Sequence, residues 1–324
     1  MLVGFDFGVG MLHRHLGRDD DERRLVADTI GPWWNGNEVW LVVATAAVFA
    51  AFPSWYATWL SAGYLVMVAA LVGLIVRGVS IEYRERGKSE QARRRWSWLL
   101  IASSALAPLA LGLMLGDLLA GVPIGSDQEF AGNPGDLLTA YGLLLGLLLV
   151  LLCVVQGAAF VGVRTTEDLR DRAHRTVARL SMPAAVAIAV FGVATYAIDD
   201  DSGARSILPA ALAAVSALVG GFGARAGRDM ATLILTSVSV ALTVSAVFFA
   251  LYPNVMVSSS DSATTLTVSG TASSHYSLQI MTIAVVIFLP VVLLYSAWSF
   301  HAFRRRLVPL DRGVSGSSPM SNTP

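Results

Sequence analysis

The chain has 324 residues, of which 55% are hydrophobic and only 14% are charged, and its formal net charge at pH 7 is zero. A soluble domain is typically about 25% charged, so this chain carries too little charge to cover a globular surface in water. Its glycines show no three-residue period, and its single cysteine, Cys153, excludes an intrachain disulfide. The composition therefore indicates a polytopic membrane protein, with no sign of nucleic-acid binding.

The first twelve residues form an apolar stretch that is too short to span a bilayer, because twelve helical residues reach only about 18 Å. The stretch has neither the basic start nor the small-residue cleavage site of a signal peptide. We interpret it as the last part of a helix whose beginning is missing. An intact first helix would start outside the cell.

Eight further stretches are long and apolar enough, or nearly so, for membrane helices, which need about 20 mostly apolar residues. In chain order they are 33–52, 57–79, 97–119, 137–161, 180–198, 207–224, 230–252 and 277–300. So many runs in one chain argue against the buried core helices of a soluble protein. The sequence predicts an all-α fold, a polytopic bundle of transmembrane helices with eight full spans plus the truncated first helix.

The basic residues lie in alternate loops. Of the 23 Lys and Arg residues, all but Arg77 and Arg205 follow the first stretch or the predicted spans that end at 79, 161, 224 and 300. The loops between are acidic or rich in Ser and Thr. Because basic loops stay in the cytoplasm, this pattern predicts a cytoplasmic C-terminus. We divide the chain into an integral membrane domain, 1–310, and a disordered cytoplasmic tail, 311–324, rich in Ser, Gly and Pro.

Ionisable residues inside the spans are candidates for function, because burying a charge in a bilayer is costly. Asp6 is either a proton-relay carboxylate or the partner of Arg77 in a pair that pins two helices; the two roles are compatible. Glu38 lies near a helix start, where a plain capping role is the alternative. Asp117 fits an interfacial position. Trp33 and Trp34 fit an aromatic belt at the membrane surface, and they could also line a polar entrance from the cytoplasm.

The histidines lie in loops or at the ends of spans: His13, His15, His174, His275 and His301. A haem in a membrane bundle needs axial ligands, commonly His or Met, that project into the bundle. We see no such histidine, no metal-ligand cluster and no nucleotide-binding or nucleophile motif. The chain alone therefore does not indicate a redox enzyme or an ATPase.

Two N-terminal motifs, GFDFGVGML at 4–12 and GPWWNGNEVWL at 31–41, resemble the signatures of subunit II of cytochrome bd-type quinol oxidases. Either motif alone would be weak, and together they are specific. The resemblance covers essentially the whole chain in order. Supporting stretches are 49–53, 77–84, 121–123, 156–158, 252–256 and 294–298.

The resemblance implies nine membrane helices, arranged as two four-helix bundles plus one, in a bacterial cytoplasmic membrane. It implies a heterodimer with subunit I, which holds the b and d haems and the quinol site. The complex oxidises quinol and reduces oxygen to water, and it takes protons from the cytoplasm. Subunit II would bind no haem; it would support assembly, help form the proton route, and hold a structural quinone or lipid. A small single-span subunit is a further partner that the resemblance allows.

Residue by residue, Asp6 and Arg77 match a carboxylate of the family's first helix and an arginine of its third. Asn35 matches a position that is often aspartate and is implicated in proton delivery. Asparagine cannot carry a titrating proton, so the route would use water bonded to Asn35, use Glu38, or run through subunit I alone. The residues expected to handle protons are thus Asp6, Asn35, Glu38 and Arg77, with Trp33 and Trp34 at an entrance.

Two other functions remain open from the residues themselves. An ion-coupled transporter could use Asp6, Glu38 and Arg77 as its substrate or proton site, and broken helices in inverted repeats would favour it. Prolines interrupt several spans, but no paired interruption occurs in matching halves. A purely structural membrane scaffold is the third possibility.

Overall fold

The structure, a computed structural model, describes residues 2–87, 89–198 and 200–308. The predicted tail, 311–324, lies outside these residues. The helices are α1 Leu2–Leu16, α2 Asp20–Asp28, α3 Trp34–Ala51, α4 Pro53–Ala62, α5 Tyr64–Arg86, α6 Glu90–Ala120, α7 Ala140–Arg164, α8 Glu167–Ile198, α9 Asp200–Arg225, α10 Asp229–Leu251, α11 Val268–Thr271 and α12 His275–Ala302. Two short antiparallel strands, β1 Asn254–Met256 and β2 Leu266–Thr267, pair in a loop.

Seven of the described helices are long and apolar enough to cross a membrane: α5, α6, α7, α8, α9, α10 and α12. The prediction of an all-α membrane bundle is therefore confirmed. Helix α3 matches the predicted span 33–52 to within one residue at each end. It is not among the seven, because its first turns carry Asn35, Asn37 and Glu38 before the apolar run begins.

The predicted span 57–79 had the wrong bounds, because the helix breaks at Gly63 and the spanning helix is Tyr64–Arg86. The short helix α4 before the break is fixed by its own contacts. Thr58 Oγ1 donates to the carbonyl of Gln128 at 2.6 Å, and Trp59 Nε1 donates to the carbonyl of Met114 at 3.3 Å. These bonds stabilise a separate helix that hydropathy alone cannot distinguish from the span that follows.

Helix α7 lies at the centre of the bundle and packs against α1, α6, α8 and α10. Its crossing with α1 is a backbone contact. A Cβ placed on Gly8 would lie 1.8 Å from the carbonyl oxygen of Cys153, and one on Gly157 would lie 2.4 Å from the carbonyl carbon of Gly8. Only glycine permits this approach, so the sequence of α1 places its polar residue, Asp6, deep inside the bundle.

Two apolar helices, α5 and α12, are little covered by the described residues of this chain. In α12, no residue of the apolar window is buried. This helix packs against α3, and the ring of Phe300 meets that of Phe5 on α1. Helix α5 is also largely exposed. Large exposed side chains include Ile75 on α5, and Val286 and Leu294 on α12. Such apolar surfaces contact lipid or a second membrane subunit.

The ends of helices that carry the basic residues lie together, and we call this the basic end. There Asp229, at the start of α10, accepts from Arg170 at 2.8 Å, lies 2.9 Å from Nε2 of His174 and pairs with Arg306. We call these four residues the Asp229 cluster. The segment after α12 is also fixed there, because Arg164 donates to the carbonyls of Phe303 and Arg305.

Candidate functional site

Four polar side chains meet inside the bundle, and we call them the inner cluster: Asp6 of α1, Asn37 and Glu38 of α3, and Arg77 of α5. Asn37 Nδ2 donates to Asp6 Oδ2 at 2.7 Å. Arg77 Nη1 donates to Glu38 Oε1 and forms an ion pair with it. Asp6 and Arg77 are 0% exposed, and the side chain of Glu38 is 18% exposed.

The first turns of α3 assemble this cluster. Successive residues of a helix point about 100° apart, so Asn37 turns toward α1 while Glu38 turns toward α5. The aromatic ring of Phe7, next to Asp6 in sequence, lies 5.1 Å from the guanidinium carbon of Arg77. A cation over an aromatic face is favourable, so α1 supplies both a carboxylate and an aromatic surface to the charged group of α5.

The inner cluster contains buried polar atoms without a hydrogen-bond partner in the protein: Asp6 Oδ1, and Nε and Nη2 of Arg77. Most buried polar groups in proteins are bonded, and each exception calls for an explanation. The charged groups of this cluster are one arginine and two carboxylates, of which only Glu38 is bonded to the arginine. The arrangement is a polar site inside an apolar medium, with donor and acceptor capacity left over.

The structure brings together three of the four residues that the sequence pointed to, Asp6, Glu38 and Arg77. Arg77 forms its described ion pair with Glu38 rather than with Asp6, so the expected direct Asp6–Arg77 pair is not the contact that forms. Glu38 does not cap α3, because its described N-terminus has no side-chain capping bond. The described hydrogen bond of the Glu38 carboxylate goes to Arg77 instead.

Asn35 is exposed and does not join the inner cluster. The amide that does so is Asn37, which the sequence analysis missed. One signal was present in the sequence. Asn37 directly precedes Glu38 and lies about one helical turn before Leu41, so Asn37 and Leu41 share a face of α3 that is apolar after its first turn. The motif contains two asparagines, and only the helix phase decides which one faces α1.

The two tryptophans lie on different sides of α3. Trp33 is buried; its ring stacks on Phe300 at 5.1 Å, and the guanidinium carbon of Arg164 lies 4.7 Å from it. Trp34 is half-buried and lines a small cavity of about 190 Å³ at the basic end. Charged residues Asp28, Glu82 and Arg84 line the same cavity. Of the two, Trp34 is thus the one beside a polar cavity.

A larger apolar groove of about 610 Å³ runs between α3 and α12. Its lining is mostly apolar and includes the aromatic side chains of Trp33, Trp40, Phe288 and Tyr295, and Asn37 reaches its wall. A mostly apolar groove with few polar groups suits the tail of a lipid-like molecule. Its wall at Asn37 connects it to the inner cluster.

The histidines of the described chain differ in their surroundings. His13 is buried, and its Nδ1 lies 2.9 Å from the carbonyl oxygen of Gly10, while His174 lies beside Asp229. His275 and His301 are exposed at opposite ends of α12. The described residues also contain no group of three or more His, Cys, Asp or Glu that could hold a metal ion.

Comparison with known proteins identifies the family. The family model described as cytochrome bd terminal oxidase subunit II matches residues 1–303. The cytochrome bd ubiquinol oxidase subunit 2 of Bacillus subtilis is 38% identical over 323 residues, which cover 99% of this chain and 94% of that protein. The cytochrome bd-I ubiquinol oxidase subunit 2 of Escherichia coli K12 is 33% identical over 345 residues, with 95% and 91% covered.

The fold agrees with a solved structure of this type. A chain of the bd oxidase from Geobacillus thermodenitrificans matches with a TM-score of 0.72, over 93% of both chains, at 16% sequence identity. At that identity the match shows the fold alone. The fold and the sequence comparisons agree, and the chain belongs to the cytochrome bd terminal oxidase subunit II family.

Proposed function

We propose that this chain is the haem-free subunit II of a bd-type terminal oxidase, and that it supports assembly and conducts protons from the cytoplasm. The relatives are named ubiquinol oxidase subunits, which makes the chain part of a quinol oxidase complex. The haems, b and d in a partner subunit I, supply the electron transfer and the reduction of oxygen. The histidine positions support this division: His13 and His15 lie near the end of α1, His174 near the start of α8, and His275 and His301 at the two ends of α12.

The observation that carries the proton role is the placement of the inner cluster. The small cavity at the basic end is lined by Trp34 and Ile81. Trp34 lies four residues before Glu38 on α3, and Ile81 lies four residues after Arg77 on α5. One helical turn rises about 5.4 Å, so the cavity lies about one turn from the Glu38–Arg77 pair, on the side of the basic end.

Glu38 is the proposed titrating group of this route, in place of Asn35. Glu38 is partly exposed and carries a proton-binding carboxylate, whereas Asn35 is an exposed amide. Asp6 lies further inside, and Asn37 joins it to α3 through a hydrogen bond. The unpartnered atoms of Asp6 and Arg77 can bond waters that pass a proton along.

The basic end faces the cytoplasm in this proposal, since basic loops are retained there. The C-terminus then lies in the cytoplasm as well, because α12 ends at that end. The exposed apolar surfaces of α5 and α12 are the proposed contacts for subunit I, and a small single-span subunit would compete for the same surfaces. The groove between α3 and α12 is the proposed place of a structural quinone or lipid tail.

The two other functions considered from the sequence make different predictions. A transporter would use the inner cluster for a substrate, and a scaffold would use none of its titrating groups. Membership of the subunit II family favours the oxidase over both. Affinity purification of the tagged chain from its native membrane decides between them. Haem bands of b and d type, with one larger partner, support the oxidase, and a colourless eluate contradicts it.

The proton role is tested by Glu38→Gln, with Asp6→Asn as its companion. Glutamine can still accept the hydrogen bond from Arg77, but it cannot release a proton. We expect oxygen consumption per haem to fall by about tenfold or more while the reduced-minus-oxidised haem spectrum is unchanged. Glu129→Gln is the control, because Glu129 is an exposed carboxylate in a loop at the opposite end.

Two outcomes would contradict the proton role. Unchanged oxygen consumption in both variants would exclude Glu38 and Asp6 from proton delivery. Loss of haem with a normal rate per remaining haem would assign them to assembly instead.

A further inference from the structure

A second polar site lies at the basic end, away from the inner cluster. It is a cavity of about 440 Å³ between the start of α8 and the turn from α9 to α10, and we call it the basic pocket. Three arginines and a histidine line it, with one carboxylate: Arg170, His174, Arg175, Arg225 and Asp171. Its lining is thus cationic overall, and the rest of it consists of alanines and Gly227.

One of these arginines is fixed by the protein and two are left for a ligand. Arg170 donates to Asp229 and, at 3.0 Å, to the carbonyl of Gly227, so its charge is compensated. Asp171 lies 3.9 Å from it and is exposed. Arg175 and Arg225 are exposed and form no ion pair with any carboxylate that the structure describes. Arg225 donates a 3.3 Å hydrogen bond to the carbonyl of Ala178, and its guanidinium carbon lies 5.4 Å from the ring centre of Phe222.

The basic pocket continues into an apolar crevice that runs along α8 and α9. This crevice has a volume of about 300 Å³ and shares Ala178 and Arg225 with the pocket. Met182, Leu218 and Phe222 line it. Met182 is 63% exposed and Phe222 is 62% exposed, on helices long and apolar enough to cross the membrane. The crevice therefore opens toward the lipid.

We propose that the basic pocket and the crevice together form a binding site for one anionic phospholipid. Arg175 and Arg225 bind the phosphate of the headgroup at the membrane boundary, and an acyl chain lies against Met182, Leu218 and Phe222. Basic pockets between helices on the cytoplasmic side are suited to anionic headgroups. The apolar crevice favours a lipid over a free phosphate, because a free phosphate would contact only the arginines and would leave the crevice empty.

The site has a consequence for the architecture. Helices α8 and α9 pack against each other, α7 and α10, whereas the exposed apolar surfaces that we assign to subunit I lie on α5 and α12. A lipid in this crevice would stabilise the contact between α8 and α9 and the turn that carries Asp229. This role does not depend on proton delivery by the inner cluster.

Native mass spectrometry of the purified complex tests the site, with phosphatidylglycerol and phosphatidylcholine titrated separately in detergent. We expect the Arg175→Gln, Arg225→Gln double variant to bind phosphatidylglycerol about 10- to 30-fold more weakly than the wild type. The control is Arg94→Gln with Arg95→Gln, which removes two exposed arginines from the same end of the bundle but outside the pocket. We expect the control to bind as the wild type does.

A third variant separates a lipid from a free anion. Met182→Trp fills the crevice at an exposed position and leaves the arginines intact, so it weakens phosphatidylglycerol binding. Inorganic phosphate at millimolar concentration does not displace the lipid from the wild type. Equal binding of both lipids, equal binding by the two double variants, or displacement by phosphate would each overturn the proposal. The haem spectrum of the same preparation reports separately on the oxidase assignment.

Discussion

The inner cluster and the Asp229 cluster use the same kinds of side chain in opposite ways. The inner cluster contains one arginine, Arg77, and two carboxylates, Asp6 and Glu38. Several of its buried polar atoms have no hydrogen-bond partner in the protein. In the Asp229 cluster one carboxylate takes two arginines and a histidine. The first cluster has polar capacity left over, and the second uses one acid to join three elements.

Their surroundings sharpen the contrast. The Asp229 cluster lies at the basic end, where the side chain of Arg306 is 43% exposed and that of Arg170 is 26% exposed, while Asp229 and His174 are mostly buried. Asp6 and Arg77 are completely buried among helices that the bilayer surrounds. A pair that only pinned helices would be better satisfied, because unbonded polar atoms are costly in an apolar medium. This difference supports the proposal that Asp229 has a structural role and that the inner cluster has a chemical one.

The largest expected effect comes from Arg77→Gln. The change leaves the carboxylate of Glu38 without its cation, and breaking a buried pair in this way costs about 3–5 kcal/mol. We expect little assembled complex, measured as haem per tagged chain in the purified sample. Arg86→Gln is the control, because Arg86 lies on the same helix α5 and its side chain is 68% exposed.

A double variant keeps this prediction testable if the single variant does not fold. Arg77→Gln combined with Glu38→Gln removes both charges of the pair, so part of the assembly returns while oxygen consumption per haem stays low. Wild-type assembly and turnover in Arg77→Gln would show that the inner cluster is no more critical than a surface pair.

A smaller effect is expected for Asp229→Asn. The carboxylate accepts hydrogen bonds from Nη2 of Arg170 at 2.8 Å and from Nε of Arg170 at 3.1 Å to each of its oxygens, and it accepts another from Arg306. Bonds between charged groups contribute about 1.5–3 kcal/mol, and exposure of the arginines reduces this to about 1 kcal/mol. We expect a lower melting temperature and an unchanged rate of oxygen consumption per haem.

Asp168→Asn serves as the matched control for Asp229→Asn, because Asp168 is an exposed carboxylate of the same basic end. A loss of turnover at an unchanged melting temperature in Asp229→Asn would place chemical work at this cluster and remove the contrast with the inner one.

Hydropathy and charge alternation predicted the membrane bundle well, because apolar runs of about 20 residues have few alternatives to crossing a bilayer. Four predicted spans fall within α6, α8, α9 and α12. The predicted span 137–161 starts three residues before α7, and the predicted span 230–252 ends one residue after α10. The break at Gly63 was not predicted, since apolar residues continue through it. Side-chain contacts of Thr58 and Trp59 with distant parts of the chain fix it, and a local pattern does not contain them.

The sequence predicted which ionisable residues form the candidate site, but it did not predict which asparagine joins them. Asp6, Glu38 and Arg77 are rare ionisable residues in apolar runs, so composition alone singles them out. The choice between Asn35 and Asn37 depends on where α3 begins, because a shift of two residues turns a side chain by about 200°. That starting point is set by the turn after α2, where the backbone N–H of Trp33 and of Trp34 both bond to the carbonyl of Ile30.

The smallest expected effect is that of replacing Asp20 on α2. It measures how much a partly exposed network of charges contributes to the stability of this chain. Burial raises the pKa of Asp20, but hydrogen bonds from Arg93 and Arg23 and the charges of Arg93 and Arg84 outweigh it, so the pKa lies below its ordinary value. A carboxyl with a lowered pKa stabilises the folded state above its ordinary pKa, and this contribution is lost as the pH falls through the lower folded value.

Asp20→Asn should therefore lower stability by less than about 1 kcal/mol between pH 7 and pH 5, since its side chain is 41% exposed. The difference from the wild type should shrink below about pH 4, where the wild-type carboxyl begins to take up a proton, and also at high salt, which screens exposed charges. Melting curves at several pH values and salt concentrations measure it. The effect of Arg77→Gln should respond little to salt, because salt screens buried ion pairs much less than exposed ones. A salt-sensitive Arg77 variant would mean that the inner cluster is as exposed to solvent as Asp20 is.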